Sequence, residues 1–320
     1  MRRTSHALLA ILAASAAVAL SDLPSKRGLA YRGDDHQGDN QLLTSGNSLI
    51  SWYYTWSTWP AQSLNDSHLV FVPLIHGIDN AEDDELRNRL DRLPDSATHL
   101  LTFNEPDGTT DSGGSSIEPE DAAKAYVEHI LPLRDSGSRR WNISHPVVTG
   151  SPMGMNWLRK FNESCYELDD GGCPADFVAV HWYGNALGLQ NWLGDLRNFY
   201  EDVAPGLEFW ITEMALAQES LEATLAMMNE SLTFLDDAED VGGYAWFGAF
   251  REDEANEWTG DAVSLFDDDG GLTELGALYL GGEEQGFKKG QKGEGNFAAS
   301  LSPAQQLLWT AILAAVGAAL

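Results

Sequence analysis

The sequence predicts an α/β fold, a (β/α)8 TIM barrel with some short or rudimentary early helices. Three observations carry this. Eight apolar, β-branched or aromatic runs bounded by turn residues recur along the chain. Several intervals between them have a helical period. The runs are nearly continuous in apolar residues, as expected of parallel strands covered on both faces by helices.

The runs are GLAY (28–31), SLISWYYTW (48–56), LVFVPLIHG (69–77), HLLTFNEPD (99–107), HPVVTGSP (145–152), DFVAVHWYG (176–184), EFWITEMAL (208–216) and GGYAWFGAF (242–250). Residues 81–93 place Leu86, Leu90 and Leu93 at helical spacing behind an acidic start. Residues 118–133 begin with Pro119, which suits a first helical turn, and align Ala122, Ala125, Tyr126 and Ile130. A third helical period covers 220–237. The competing architecture is an open doubly wound sheet, but no G-x-G-x-x-G follows the first strand.

The ends read as sorting signals. Residues 1–19 form a signal peptide: a basic start, an apolar Ala-rich core and a small-x-small site at Ala17-Val18-Ala19. The barrel is assigned to 26–282, about 260 residues, enough for one large core. A Gly-rich polar spacer follows at 283–300, and then an apolar GPI-attachment signal at 301–320. Asn296 is the expected lipid-attachment residue, with Ala298 as the small residue two places on. Four N-x-Ser sequons, at Asn65, Asn142, Asn162 and Asn229, fit a secreted, cell-surface protein. In that oxidising setting the two cysteines, Cys165 and Cys173, are expected to pair.

The formal net charge of −30 repels nucleic acid and anionic headgroups, so no nucleic-acid partner is expected, and membrane contact is expected through the lipid anchor alone. A monomer is expected. The eight histidines are scattered without metal-ligand spacing, so no metal is assigned. H-E-x-x-H, G-x-x-x-x-G-K-[ST] and G-x-S-x-G are absent from the sequence. The Asp267-Asp268-Asp269 cluster lacks the spacing of a calcium loop and reads as a turn.

Chemistry in such a barrel sits at the C-terminal ends of strands. The fourth run ends in Asn104-Glu105-Pro106, the sixth in His181-Trp182-Tyr183, and the seventh in Glu213. The eighth offers Trp246, and the second runs out through Trp52, Tyr54 and Trp56. Two carboxylates ringed by aromatics suit glycosidic bond cleavage. One protonates the leaving oxygen, and the other attacks the anomeric carbon or activates water. Aromatic faces bury the apolar C–H faces of a pyranose. Asn104 is placed to reach a sugar 2-hydroxyl. Trp52, Tyr54, His181, Trp182, Tyr183 and Trp246 complete the expected substrate-binding set.

KRGLAY, SWYYTW, FVPLIHG, LTFNEPD, VTGSPMG, DFVAVHWYG, FWITEMA and YAWFGAF, taken in order, resemble glycoside hydrolase family 128 over residues 26–282. The resemblance implies a retaining endo-β-1,3-glucanase without a cofactor, acting on cell-wall β-1,3-glucan, with Glu105 as acid/base and Glu213 as nucleophile. Retention requires carboxyl groups about 5–5.5 Å apart, and a separation of roughly 8 Å would point to inversion. Endo or exo action stays open. So do three alternatives: a catalytically silent glucan-binding surface protein, a β-1,3-glucan transglycosylase, and a glycosidase for β-1,4-linked sugars.

Overall fold

The computed structural model describes residues 23–33, 35–135 and 139–293. The signal peptide, Asn296 and the apolar segment at 301–320 lie outside the described residues. Nine strands form one all-parallel sheet: β1 (Arg27–Ala30), β2 (Ile50–Tyr54), β3 (Val70–Phe71), β4 (Leu74–Ile75), β5 (His99–Asn104), β6 (Asn142–Val147), β7 (Phe177–Tyr183), β8 (Glu208–Ala215) and β9 (Val241–Trp246). The strand order is β3-β2-β1-β9-β8-β7-β6-β5-β4.

The third expected strand is one segment broken in two. Pro73 cannot donate to a ladder, so β3 and β4 stop on either side of it. The Val72 N–H still donates to Tyr53 O, and Pro73 O accepts from the Leu101 N–H. The segment therefore bonds β2 on one side and β5 on the other, and carries the ladder round to close the barrel.

The early helices are short, as expected: α1 (Asn40–Leu43), α2 (Ile78–Ala81) and α3 (Leu86–Asp91). The predicted helix over 81–93 is therefore two pieces. The helix begun by Pro119 runs as α4 (Pro119–Ala125), a π-helical turn (Tyr126–Ile130) and α5 (Leu131–Asp135). Long helices follow: α6 (Pro152–Leu168), α7 (Ala186–Val203) and α8 (Leu221–Asp237), N-capped by the side chains of Ser151, Asn185 and Ser220. The short α9 (Glu274–Tyr279) closes the series.

Two apolar layers result. Between sheet and helices lies the larger one, including Leu29, Tyr53, Phe71, Phe103, Ile143, Val180 and Ile211. Inside the barrel a second cluster packs Trp52, Tyr54, Leu101, Val147, Phe177, Ala179 and Trp210. Successive strand residues point to opposite faces, so Trp52 and Tyr54 go inward while Tyr53 goes outward. Trp52 and Trp210 meet with centroids 4.9 Å apart, and the His99 ring stacks on Trp210 at 5.4 Å.

Two expectations need correction here. Trp52 and Trp246, predicted as sugar platforms, are both 0% exposed. The Trp52 indole N–H donates to Lys26 O, and that of Trp246 to Val263 O, so both are packing residues. Residues 283–293, predicted as spacer, pack onto the barrel. Phe287 is buried, and the backbones of Gln291 and Gly290 bond Leu272, which ties residues up to 293 onto the barrel. The Cys165–Cys173 disulfide is present. Asp267 closes its turn by accepting from the Asp269 and Gly271 N–H groups. Among the described residues no helix is long and apolar enough to cross a membrane.

Gly28 pairs with Trp52 across the ladder, and a Cβ there would lie 2.1 Å from the indole. Gly28→Ala should cost about 1–3 kcal/mol by overpacking, read as a lower midpoint in thermal melting. An unchanged midpoint would mean the indole has room to move.

Burial lowers the His99 imidazole to about 3 against a raising pull from Asp176, and lowers His145 to about 4 against its bond to Cys173 O. Both are therefore neutral when folded. The unfolded chain binds these protons near 6.5, so stability is complete above that value and falls as pH drops towards the folded values. Between pH 6.5 and about pH 5 each site should remove about 2 kcal/mol, measurable by urea denaturation across that range.

Candidate active site

The site opens at the C-terminal mouth of the barrel, where irregular backbone aims three side chains inward. In β5 the register shifts between Thr102 and Asn104, and Phe103 and Glu105 take left-handed φ values of 25° and 39°. Such conformations cost on the order of 1–3 kcal/mol each and persist only where the surroundings impose them. In β8 strict alternation from the inward Trp210 would turn Glu213 outward. The register shift between Ile211 and Met214 reverses this, and Glu213 pairs with His181 across the ladder.

His181, fully buried on β7, joins the two acids. Its Nδ1–H donates to Glu105 Oε1 at 2.9 Å. Its Nε2 lies 3.4 Å from Glu213 Oε1, close enough for ion pairing but without hydrogen-bond geometry. One oxygen of each glutamate and a ring nitrogen of His181 all lie within 4.8 Å of one another. The two glutamates thus face each other at the barrel mouth, near enough to act on the two sides of one bond.

Burial works to lower the His181 pKa, but the Glu213 charge, the bond and charge of Glu105, and Asp107 outweigh it, and the net shift is upward. The two acids thus draw the ring towards its protonated form. Asp107 is fixed in turn by the backbone N–H and the hydroxyl of Thr149.

Glu213 is the more enclosed acid and receives three further donors. The Tyr54 hydroxyl reaches Oε1 at 3.0 Å, the Trp56 indole N–H reaches Oε1 at 2.7 Å, and the Tyr183 hydroxyl reaches Oε2 at 2.5 Å. Burial first, and then the Glu213 charge, hold both tyrosines well above their ordinary value, so they remain phenols and donate. Glu105, by contrast, has His181 as its side-chain partner and lies beside the open loop at 105–117.

Most of the expected residues converge. Glu105, Glu213, His181, Tyr54 and Tyr183 form one network. Asn104 flanks it: its Nδ2 donates to Gly113 O, while its buried Oδ1 has no partner among the described residues. Asn104 is the residue expected to reach a sugar 2-hydroxyl. Trp182 stands to one side, its indole N–H on Asn185 O and its ring packed where Cβ atoms at Gly150, Gly184 or Gly188 would fall. Trp56 was named in the second run but not in the expected binding set. Its even spacing with Trp52 and Tyr54 was the available signal, whereas its left-handed φ of 53° has no mark in sequence.

Glu105, His181 and Glu213 are also the one cluster among the described residues with the makeup of a metal-ligand set. The donors already placed on Glu213 and the cationic bias of His181 suit the cluster to a proton-handling role instead.

Of the sequons, Asn65 and Asn229 are exposed and Asn162 is half-buried. Asn142 is half-buried, with its amide on His99 Nε2.

Residues 28–279 match the model of the family described as glycosyl hydrolase catalytic core. Alkali-sensitive linkage protein 1 of Schizosaccharomyces pombe is 29% identical over 268 residues, which is 81% of this chain but 45% of that protein. The chain thus spans under half the length of this curated relative. Among solved structures, the fold is similar to a family 128 subgroup VI exo-β-1,3-glucanase from Aureobasidium namibiae, with a TM-score of 0.66, 23% identity, and 80% of this chain and 96% of that one covered. A subgroup II endo-β-1,3-glucanase from Sorangium cellulosum has a TM-score of 0.63 and 26% identity, covering 80% and 98%. A subgroup III curdlan-specific exo-β-1,3-glucanase from Blastomyces gilchristii, in complex with glucose, also has a TM-score of 0.63 and 26% identity, covering 80% and 97%.

The charged bridge has a signed consequence. Because the folded value of His181 is raised above 6.5, its contribution to stability is full below about pH 6.5 and is lost as pH rises through the folded value. The stability advantage of wild type over His181→Gln, measured by urea denaturation across pH, should therefore be level on the acid side and shrink on the alkaline side. An advantage that grows with pH would contradict a charged ring.

Proposed function

Since the chain belongs to the glycosyl hydrolase catalytic core family, we propose that it is a retaining glycoside hydrolase cleaving β-1,3-glucan, with Glu105 as acid/base and Glu213 as nucleophile. The observation that carries this is the pair of carboxylates within 4.8 Å at the barrel mouth, bridged by His181. The linkage preference is supported by the β-1,3-glucanases of similar fold and by the order of the sequence segments.

The cycle has two steps. Glu213 Oε attacks the anomeric carbon as Glu105 gives its proton to the departing glycosidic oxygen, leaving a covalent glycosyl-enzyme. A water then enters, Glu105 takes its proton, and the resulting hydroxide displaces Glu213 with net retention. The roles follow from the environments. Tyr54, Trp56 and Tyr183 fix the orientation of Glu213, which an in-line attack needs. Glu105 faces the loop side, where leaving group and water pass. His181 Nδ1–H holds Glu105 Oε1 in place through both steps. Asn104 Oδ1 accepts from the sugar 2-hydroxyl.

Secretion, N-glycosylation and a GPI anchor at Asn296, placing the enzyme at the cell surface, belong to the same proposal. Exposed Asn65 and Asn229 are the better glycan acceptors, and Asn142 the poorest.

The test is a substrate panel of laminarin, laminari-oligosaccharides and cello-oligosaccharides with Glu105→Gln and Glu213→Gln. Wild type should release sugar from the β-1,3 substrates with β-configured first products by NMR, and both variants should lose on the order of 10³-fold or more in kcat. With Glu213→Gly, azide should give the α-glycosyl azide; with Glu105→Gly, the β-glycosyl azide. Exchanged products would reverse the two roles, and wild-type rates in Glu213→Gln would overturn the mechanism.

A further inference from the structure

Among the exposed large apolar residues, Trp258 is in ring contact with a side chain that donates to Glu213. It lies in the loop after β9 and is 58% exposed. Its ring meets that of Tyr183 edge to face at 4.5 Å, and Tyr183 is the donor to Glu213 Oε2. Tyr183 also contacts Phe247 at 5.8 Å, and Phe247 contacts Trp56 at 5.9 Å. A continuous aromatic wall therefore runs from the nucleophile out to an open indole.

The backbone beneath that indole is clamped from two sides. Asn256 Oδ1 accepts from the Trp258 N–H at 3.0 Å, and from the Thr259 N–H and hydroxyl at 2.8 and 3.0 Å. From the loop after β8, the Gln218 carboxamide donates to Glu257 O and Trp258 O, and its backbone N–H donates to Thr259 O. Gln218 takes a left-handed φ of 60° to do so. Backbone strain and a dense set of hydrogen bonds are thus committed to a side chain that gains little burial. What sets this indole apart is its place at the end of the aromatic wall that begins at Glu213, with its backbone ordered before any ligand arrives. The other exposed tryptophan, Trp59, has Arg89 over its ring at 5.2 Å and so already has a companion.

We propose that Trp258 is a glucan-binding platform that stacks on a glucose unit next to the one being cleaved, so that it sets the preference for longer chains. This rests on the glycoside hydrolase reading of the site. A preordered indole presents an apolar face to the axial C–H groups of a pyranose with little entropy left to lose. Gln218 and Asn256 are positioning residues, acting on the sugar through Trp258.

The test measures kinetics on laminari-oligosaccharides of increasing length, and binding to Glu213→Gln protein, for Trp258→Ala, Trp258→Phe and Gln218→Ala. Trp258→Ala should raise KM and Kd for the longest oligosaccharide about 5- to 50-fold, with kcat changing far less, and the penalty should shrink as the chain shortens. Trp258→Phe should recover most of the loss, and Gln218→Ala should show a smaller penalty of the same kind. Equal Kd values for wild type and Trp258→Ala, or a loss confined to kcat, would overturn the platform while leaving the glucanase reading intact. If wild type leaves every β-1,3-glucan uncut, that reading fails on its own. The platform is then judged by binding to a panel of gluco-oligosaccharides, where no effect of Trp258→Ala overturns it as well.

Discussion

Carboxylate oxygens of Glu105 and Glu213 within 4.8 Å of each other repel when both acids are ionised, and His181 sits between them. The two acids draw a proton onto the ring, and a charge there offsets their mutual repulsion. The position also fits the topology. β7 is the direct neighbour of β8 and lies two places from β5, so an inward residue at its end reaches both glutamates. The shifts of register in β5 and β8 follow from the same requirement. Without them Glu213 would face the helices, and the bridge would have one end.

Below the bridge the barrel is filled rather than hollow. Trp52, Trp210, Phe177 and Tyr54 occupy its interior, with His99 stacked at the base. Close packing of large rings leaves the strand ends little freedom, so Tyr54 and Trp56 arrive at Glu213 already oriented. One strand thus supplies both floor and site: Trp52 packs, while Tyr54 and Trp56 donate to the nucleophile. Further ties hold the last elements to the first. Lys26 Nζ reaches three carbonyls at the C-terminal end of α8, and Arg251 pairs with the buried Asp39 through two bonds of 2.9 and 3.0 Å. The first joins the entry of β1 to the end of α8 at the far end of the barrel, and the second connects the loops after β1 and β9, which border the mouth.

The hydrophobic runs and their spacing made the eight-unit barrel legible, because a strand covered on both faces must be apolar throughout. The same property hid the roles of the tryptophans. A continuous aromatic run does not say which ring ends at the floor and which at the rim, and so Trp52 and Trp246 read as platforms although both are buried. The break at Pro73 was visible as a residue, but its consequence, one segment bonded to two different neighbours, needed the closed sheet. The polar composition of 283–293 suggested a spacer, whereas burial of Phe287 and pairing with Leu272 come from long-range contact.

The sequence by itself determined the class of fold, the positions of the two glutamates at strand ends, and the histidine and tyrosine that accompany them, since these depend on local pattern and on which residue follows which strand. Only the tertiary structure decided that Glu213 turns inward against its alternation, that His181 touches both acids, and that Trp56 and Trp258 join the wall. Those outcomes depend on register shifts and positive φ angles that neighbouring strands impose, and a linear pattern of side chains carries no record of them.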